Sequence, residues 1–343
     1  MRILLTADPM IPVPPAGYGG IERIVDALVR HFRSNGHCVG LAAHPASTST
    51  ADERFGWPDP RPGAGLPMIR NALALRRSAG AFRPDILHSF SRLAYLAPLL
   101  CGRIPKVMSY QRHTGGRQIA LAARLGGSTL RFTGCSEFIC GMGRRSGGNW
   151  TSIHNFIEPE QFTFVGEVPP DAPLVFLSRI ESIKGADLAI GMARAAGRRL
   201  ILAGNHALGG PQFEYWARRI EPEIDRAGVE WAGEVDDARK NELLGRAAAL
   251  IVPVQWDEPF GIVFPEALAC GTPVLSCRRG ALPEIIDEGR TGFFAETIED
   301  GAAAIRRLGE ISRAECRRVA VDRFSLAVCA ARYLALYGSL GCE

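Results

Sequence analysis

The chain predicts an α/β protein made of two similar, doubly wound domains. Three observations carry that expectation. Short apolar runs that read as buried strands recur through both halves. Helical segments separate them, and alternating strands and helices build parallel sheets covered on both faces. The first run leads through a Pro/Gly-rich loop into an amphipathic helix and a second run, the usual opening of a doubly wound sheet. A length of 343 residues fits two domains, each large enough for its own core.

Arg2–Ala7 reads as the first strand and Pro9–Gly20 as the loop. Ile21–Phe32 follows as a helix, because Ile21, Ile24, Val25, Leu28, Val29 and Phe32 fall on one face. Gly36-His37 ends it before a strand at Cys38–Ala43. Ser47–Pro67 is polar and Pro-rich and reads as a loop. Strands are expected at Ile86–Ser89, Lys106–Tyr110 and Arg131–Cys135. The second series has strands at Leu174–Leu177, Arg199–Leu202, Val229–Trp231, Leu250–Val252 and Val274–Ser276, with helices such as Ala186–Ala196 and Asp236–Ala248. The boundary is placed within Pro159–Pro170, where Pro and Glu interrupt the periodicity, giving domains 1–160 and 161–324. Ser325–Tyr337 reads as a final helix.

Composition narrows the function. Hydrophobic residues make up 47% and charged ones 22%, as in an ordinary soluble globular protein. The net charge of +4 is too weak to argue for nucleic acid, and the positive residues read as scattered rather than in runs. This leaves room for a basic face toward an anionic donor or for peripheral membrane contact. Lys106, Lys184 and Lys240 are the only lysines in a chain rich in Arg, the mark of a high-GC bacterial genome. Nine cysteines, an odd number, show neither C-x-x-C nor zinc spacing, so free buried thiols in a reducing cytoplasm are expected. MRILLTADPMIPVPP lacks a signal-peptide pattern, and no stretch nears the roughly 20 apolar residues that span a bilayer.

The densest chemistry lies in QWDEPFGIVFPEALACGTP, Gln255 to Pro273. Pro265 is tolerable only in the first turn of a helix, so a helix should begin near Ile262–Phe264. Gly271 can supply its left-handed C-terminal residue. Glu258 then precedes the helix and Glu266 lies within it, with the N–H groups of Phe260, Gly261 and Ile262 between them. Such N–H groups favour phosphate, and carboxylates accept hydrogen bonds from hydroxyls. A sugar nucleotide offers both. By spacing alone, two glutamates around a buried helix are usually solvated. Arg179 and Lys184 lie on a strand-to-helix loop, where they could neutralise a diphosphate or remain solvated surface cations. Gly17-Tyr18-Gly19-Gly20-Ile21-Glu22 allows close backbone approach to a ligand, or is simply a tight loop; its spacing is not a dinucleotide fingerprint.

The segment around Glu258 and Glu266 resembles the signature of retaining glycosyltransferase family 4, which includes glycogen synthase-like enzymes. The likeness spans most of the chain and is strongest from Asn155 to Phe294. It implies the GT-B fold: two Rossmann-like doubly wound domains facing a deep interdomain cleft, with the C-terminal helix (325–343) crossing back to the N-terminal domain. The N-terminal domain would take the acceptor and the C-terminal domain the nucleotide sugar. Glu258 would meet donor sugar hydroxyls and Glu266 ribose hydroxyls. Ser178-Arg179-Ile180-Glu181-Ser182-Ile183-Lys184-Gly185 resembles the family's G-R-x-x-x-x-K-G pattern, with Ser178 in place of Gly; Arg179 and Lys184 would hold the diphosphate. Gly19 and Gly20 match a loop that meets donor phosphates or acceptor. The backbone of Glu234 and Val235 matches the base contact. A histidine after Lys106–Tyr110 is usual; here Gln111 stands at that place and His113 two residues beyond, and His113 is the favoured candidate. His88 is either structural or lines the acceptor site. Asn155 belongs to interdomain architecture, and Ala281–Glu284 and Thr291–Phe293 are structural matches.

The resemblance thus implies a retaining, metal-independent transferase moving a sugar from a nucleoside diphosphate, UDP before GDP, to an acceptor hydroxyl on a sugar, lipid or natural product. No cofactor or D-x-D motif is involved. No catalytic base is assigned, since such enzymes are thought to use front-face attack. Polysaccharide or antibiotic biosynthesis is the expected setting. The rivals are a GT-B sugar-nucleotide 2-epimerase, a phosphorylase, for which the three lysines offer no evident pyridoxal site, and a silent nucleotide-sugar-binding partner subunit.

Overall fold

The structure, a computed structural model, describes residues 1–341 apart from 18, 62, 226 and 227. Tyr18 of the glycine loop and Cys342 therefore lie outside the described residues. The chain divides into two compact units, Met1–Asn155 with the C-terminal segment from Leu326, and Phe156–Ser325.

Unit 1 opens with β1 (Arg2–Thr6), α1 (Gly20–Ser34), β2 (Cys38–Ala43), β3 (Glu53–Gly56) and α2 (Leu66–Phe82). It continues with β4 (Ile86–Ser89), β5 (Lys106–Tyr110), α3 (Arg117–Gly126), β6 (Leu130–Gly134), α4 (Glu137–Arg144) and β7 (Trp150–Ser152). All neighbours are parallel, in the order β3-β2-β1-β4-β5-β6-β7. Sequence reading had assigned 47–67 to a loop; β3 lies inside it. Its residues are mostly exposed and include Glu53 and Arg54, so an edge strand there leaves no apolar run to read. β7 is only three residues long, too short to show an alternation.

α1 forms because its apolar stripe, Ile24, Val25, Leu28, Val29 and Phe32, is buried against the sheet. It stops where Gly36 adopts φ 80° and His37 N–H returns to Phe32 O at 3.0 Å. One face of the sheet carries α2, α3 and α4, whose Leu75, Phe82, Ile119 and Cys140 share a core with Leu4, Leu87, Met108 and Phe132.

Unit 2 comprises β8 (Leu174–Leu177), α5 (Ala186–Ala195), β9 (Leu200–Ala203), α6 (Gly210–Tyr215), β10 (Val229–Gly233), α7 (Asp237–Arg246) and β11 (Ala249–Ile251). It ends with α8 (Val263–Ala269), β12 (Val274–Ser276), β13 (Gly292–Phe294), α9 (Ile298–Arg306) and α10 (Arg313–Phe324). Its parallel sheet runs β10-β9-β8-β11-β12-β13, the same winding as unit 1. α10 secures the entry segment. Arg317 donates to Pro159 O at 3.0 Å and to Ala269 O, the C-terminal end of α8, at 2.6 Å. Ile157 N–H bonds Phe324 O at 2.8 Å. These ties place 156–160 with unit 2, whereas the interrupted periodicity of Pro159–Pro170 puts the break at 160/161.

α11 (Leu326–Gly338) packs on α1 of unit 1. Fully buried His88 fixes it: Nδ1 lies 2.6 Å from Tyr337 Oη and Nε2 2.6 Å from Ser109 Oγ, while the Tyr333 ring lies 4.8 Å from the imidazole. His88 is thus a structural residue. Burial pushes its pKa down to about 3.

Eight free cysteines are described, six of them buried. Burial pushes the Cys316 and Cys329 thiols up to about 12, which leaves them inert. Among the described residues no helix is long and apolar enough to cross a membrane.

Candidate nucleotide-sugar site

In a doubly wound sheet the loops leaving adjacent strands that wind in opposite directions part at the carboxyl edge and open a crevice. In unit 2 those strands are β8 and β11. Their loops carry Arg179 and Lys184 on one side and Glu258 on the other. Lys184 Nζ donates to Glu258 Oε2 at 2.6 Å, and both side chains are nearly buried. Trp256 Nε1 donates to the same oxygen at 2.9 Å, and its ring lies 5.0 Å from the ammonium. A compact point charge suits this confined place better than a guanidinium fork.

The loops are held together by backbone. Gln255 N–H bonds Ile183 O at 2.8 Å. Gly185 adopts φ 73°, and a Cβ there would stand 2.2 Å from Pro253 O. Only glycine meets both demands.

α8 begins at Val263 with Pro265 in its first turn, and Gly271 (φ 85°) follows its last residues. Preceding Gly261 has φ 80°. Among the described residues the N–H groups of Gly261 and Ile262 have no acceptor. Two open amides on the turn beside Glu258 can accept an anion. Phe260 is buried against Phe324 at 5.9 Å and anchors the turn.

Glu266 faces a second cation. Lys240 Nζ of α7 donates to Glu266 Oε1 at 2.8 Å and lies 3.2 Å from Asp237. Burial alone would lower the Lys240 pKa, but Glu266 and Asp237 hold it above the ordinary lysine value. Lys240 was missed in the sequence, although the scarcity of lysine was a signal. The three lysines each make a specific bond: Lys106, fully buried, donates to Gly102 O and Ile104 O at 3.0 and 2.6 Å.

Arg179 is half-exposed and bonds Glu181 at 2.7 Å. Glu234 and Val235 follow β10 at the sheet's edge, just before Asp236 caps α7 by accepting from Arg239 N–H at 2.8 Å. Nearby, His206 stacks on Trp216 at 4.2 Å.

Gly19, Gly20 and His113 lie in unit 1. Gly19 is buried, and a Cβ there would stand 2.7 Å from Pro15 Cβ. Glu22 of α1 is buried, and burial, with Asp8 adding, raises its carboxyl pKa against its own backbone N–H and Arg112. At unit 1's own switch point, between β1 and β4, Arg92 pairs with Asp8 at 3.4 Å. After β5, His113 is exposed with its ring 5.8 Å from Phe138. Gln111 differs: its Nε2 and Oε1 are both buried without a hydrogen-bond partner among the described residues. An orphaned amide of this kind calls for an explanation.

Among the described residues no three His, Cys, Asp or Glu side chains are grouped to hold a metal ion.

Two parallel Rossmann-like sheets, with paired cations and glutamates at a carboxyl edge, define a GT-B glycosyltransferase architecture. The chain belongs to the glycosyltransferases of group 1 and family 4: residues 158–320 match the family model Glycosyl transferases group 1, and residues 18–161 match Glycosyltransferase Family 4. It is 24% identical over 381 aligned positions to glycogen synthase of Mycobacterium tuberculosis, covering 94% of this chain and 89% of that one. AviGT4, a glycosyltransferase involved in avilamycin A biosynthesis, superposes with a TM-score of 0.71 at 25% identity, over 99% and 97% of the two chains. Anabaena HepE in complex with UDP superposes with a TM-score of 0.75 at 16% identity, over 99% and 100%.

Proposed function

We propose that the protein transfers a sugar, with retention, from a nucleoside-diphosphate donor to an acceptor hydroxyl, and that UDP is the donor nucleotide. The Lys184–Glu258 pair at the β8/β11 crevice of unit 2 carries this reading. Unit 2 holds the donor and unit 1 serves the acceptor side. The UDP complex of HepE supports the choice of nucleotide at the level of fold.

Lys184 and Arg179 offset the charge that grows on the leaving diphosphate, together with the open amides of Gly261 and Ile262. Glu258 accepts hydrogen bonds from donor sugar hydroxyls while keeping the ammonium in place. Glu266, held by Lys240, accepts from the ribose hydroxyls. Backbone groups of Glu234 and Val235 meet the base. Gly19, packed tightly against Pro15, and Gly20 set the loop before α1 on the ligand side of unit 1, and the partnerless amide of Gln111 supplies a hydroxyl contact there, with His113 at the loop's exposed edge. The protein cations take the part that a diphosphate-bound metal would play. The acceptor belongs to polysaccharide or natural-product chemistry, as the similarity to AviGT4 and to glycogen synthase suggests.

The test is to follow nucleoside diphosphate release from UDP- and GDP-sugars, with and without acceptor alcohols, and to read the product anomer by NMR. Acceptor-dependent release with a retained anomer, unaffected by EDTA, is expected. An isomerised nucleotide sugar formed without acceptor would identify an epimerase, and donor binding without turnover a silent partner. Activity lost to EDTA and restored by Mg²⁺ would remove the metal-free mechanism.

A further inference from the structure

Counted along the chain, the basic residues are concentrated rather than scattered. From residue 60 to 136 the chain has eleven Arg and one Lys against a single acid, Asp85, a net of +11 in a protein whose total is +4. The remainder therefore carries −7. All of this stretch belongs to unit 1.

Two helices of the stretch, α2 and α3, pack on the same face of the unit 1 sheet, so both turn their other sides outward from it. On α2 the outward stripe holds Leu66, Ile69 and Leu73, which are 58%, 54% and 42% exposed. On α3 it holds Leu121 and Leu125, 58% and 44% exposed. These are i, i+3/i+4 and i+7 spacings, an apolar ridge over the first two turns of α2 and one turn of α3. Arg70, Arg76 and Arg77 stand beside the first ridge and Arg117 and Arg124 beside the second, all exposed. Neither helix contains an acidic residue. Among the described residues none of these five arginines is in an ion pair. Several surface arginines of unit 2 are neutralised instead: Arg239 and Arg246 by Glu242, Arg307 by Glu310, Arg318 by Glu315 and Asp322.

We infer that the α2/α3 face of unit 1 docks on an anionic lipid surface, with the leucines and Ile69 entering the headgroup boundary and the arginines meeting lipid phosphates. Apolar ridges with unpaired arginines and no acids are the composition of an interfacial helix. Each basic residue near an anionic leaflet adds to binding, and the attraction fades within a Debye length. The charge argues against a second copy of the same face, which would repel it. The ridges argue against nucleic acid, whose phosphates offer nothing to five exposed aliphatic side chains.

The full chain is sedimented with phosphatidylcholine vesicles and with vesicles of equal parts phosphatidylcholine and phosphatidylglycerol. Binding to the anionic vesicles alone is expected, weakened at about 1 M salt, where the Debye length is about 3 Å. Arg70→Glu with Arg77→Glu should lower the partition coefficient by roughly tenfold or more. Ile69→Ser with Leu73→Ser should lower it independently. Arg219→Glu, in unit 2, should leave it unchanged. All these positions are exposed, and thermal unfolding of each variant checks that the fold is retained. Equal sedimentation with both vesicle types, or none, overturns the inference. So does binding that ignores both double variants. A polyanion such as duplex DNA, bound with the same dependence on Arg70 and Arg77 but none on Ile69 and Leu73, would make the face a nucleic-acid site instead.

Discussion

At the scale of single residues, scarcity separates side chains that charge alone would treat as equal. A chain that uses Arg for almost every cation retains Lys at three places, and each is confined: Lys106 against two carbonyls, Lys184 against Glu258, Lys240 against Glu266. Lys184→Ala is expected to lower turnover by about 100-fold or more, the loss seen when one transition-state donor is removed. It also leaves the nearly buried Glu258 uncompensated, at a cost of about 3 kcal/mol in stability. The double variant Lys184→Ala/Glu258→Ala should regain much of that stability and none of the turnover. If it regained turnover, the ammonium would have no part in the chemistry. Glu266→Gln should raise the donor KM and leave kcat nearly intact, since the ribose contact is made equally before and during reaction. Lys240→Ala should follow it in direction. A fall in kcat with donor affinity unchanged would make Glu266 a catalytic group. The glutamates were legible because a proline, a glycine and two carboxylates lie within one short segment. Lys240 was not, because its partner is 26 positions away and only the packing of α7 beside α8 joins them.

At the scale of elements, the site depends on two loops approaching more closely than side chains allow. Gly185→Ala would combine a left-handed backbone with a methyl 2.2 Å from Pro253 O. A loss above about 2 kcal/mol is expected, from the left-handed penalty of about 1–2 kcal/mol plus the displaced carbonyl. Gly197→Ala is the control: φ is 65° but nothing lies within 4 Å, so only the backbone penalty, about 1 kcal/mol, should appear. Urea midpoints measure both, and equal losses would remove the role given to close approach. Strands with continuous apolar runs were readable to within a residue or so, as at Cys38–Ala43 and Val274–Ser276. β3 and β7 were not, being short and formed by pairing at the sheet's end rather than by their own pattern. α2 escaped as well: its exposed stripe is as apolar as its buried one, which erases the contrast that marks an amphipathic helix.

At the scale of the whole molecule, His88 links pH to stability. In the unfolded chain it titrates near 6.5, and burial depresses it to about 3 when folded. The folded protein therefore binds fewer protons, and stability is full above pH 6.5 and lost as pH falls toward 3. About 2 kcal/mol should disappear between pH 6.5 and 5. His88→Gln removes the titrating group, so the fall in Tm over that range should become shallower; an unchanged slope would place the acid sensitivity elsewhere. The same histidine bears on how the protein is made. Its partner Tyr337 lies 249 positions further along the chain, on α11, while His88 is carried by β4. During synthesis the nascent chain exposes β4 with its imidazole long before α11 leaves the ribosome. Unit 2, a continuous stretch, has all its residues available first. The half translated first is thus the half completed last, and until α11 emerges its open flank, Phe32 and His88 included, is surface that a chaperone could hold.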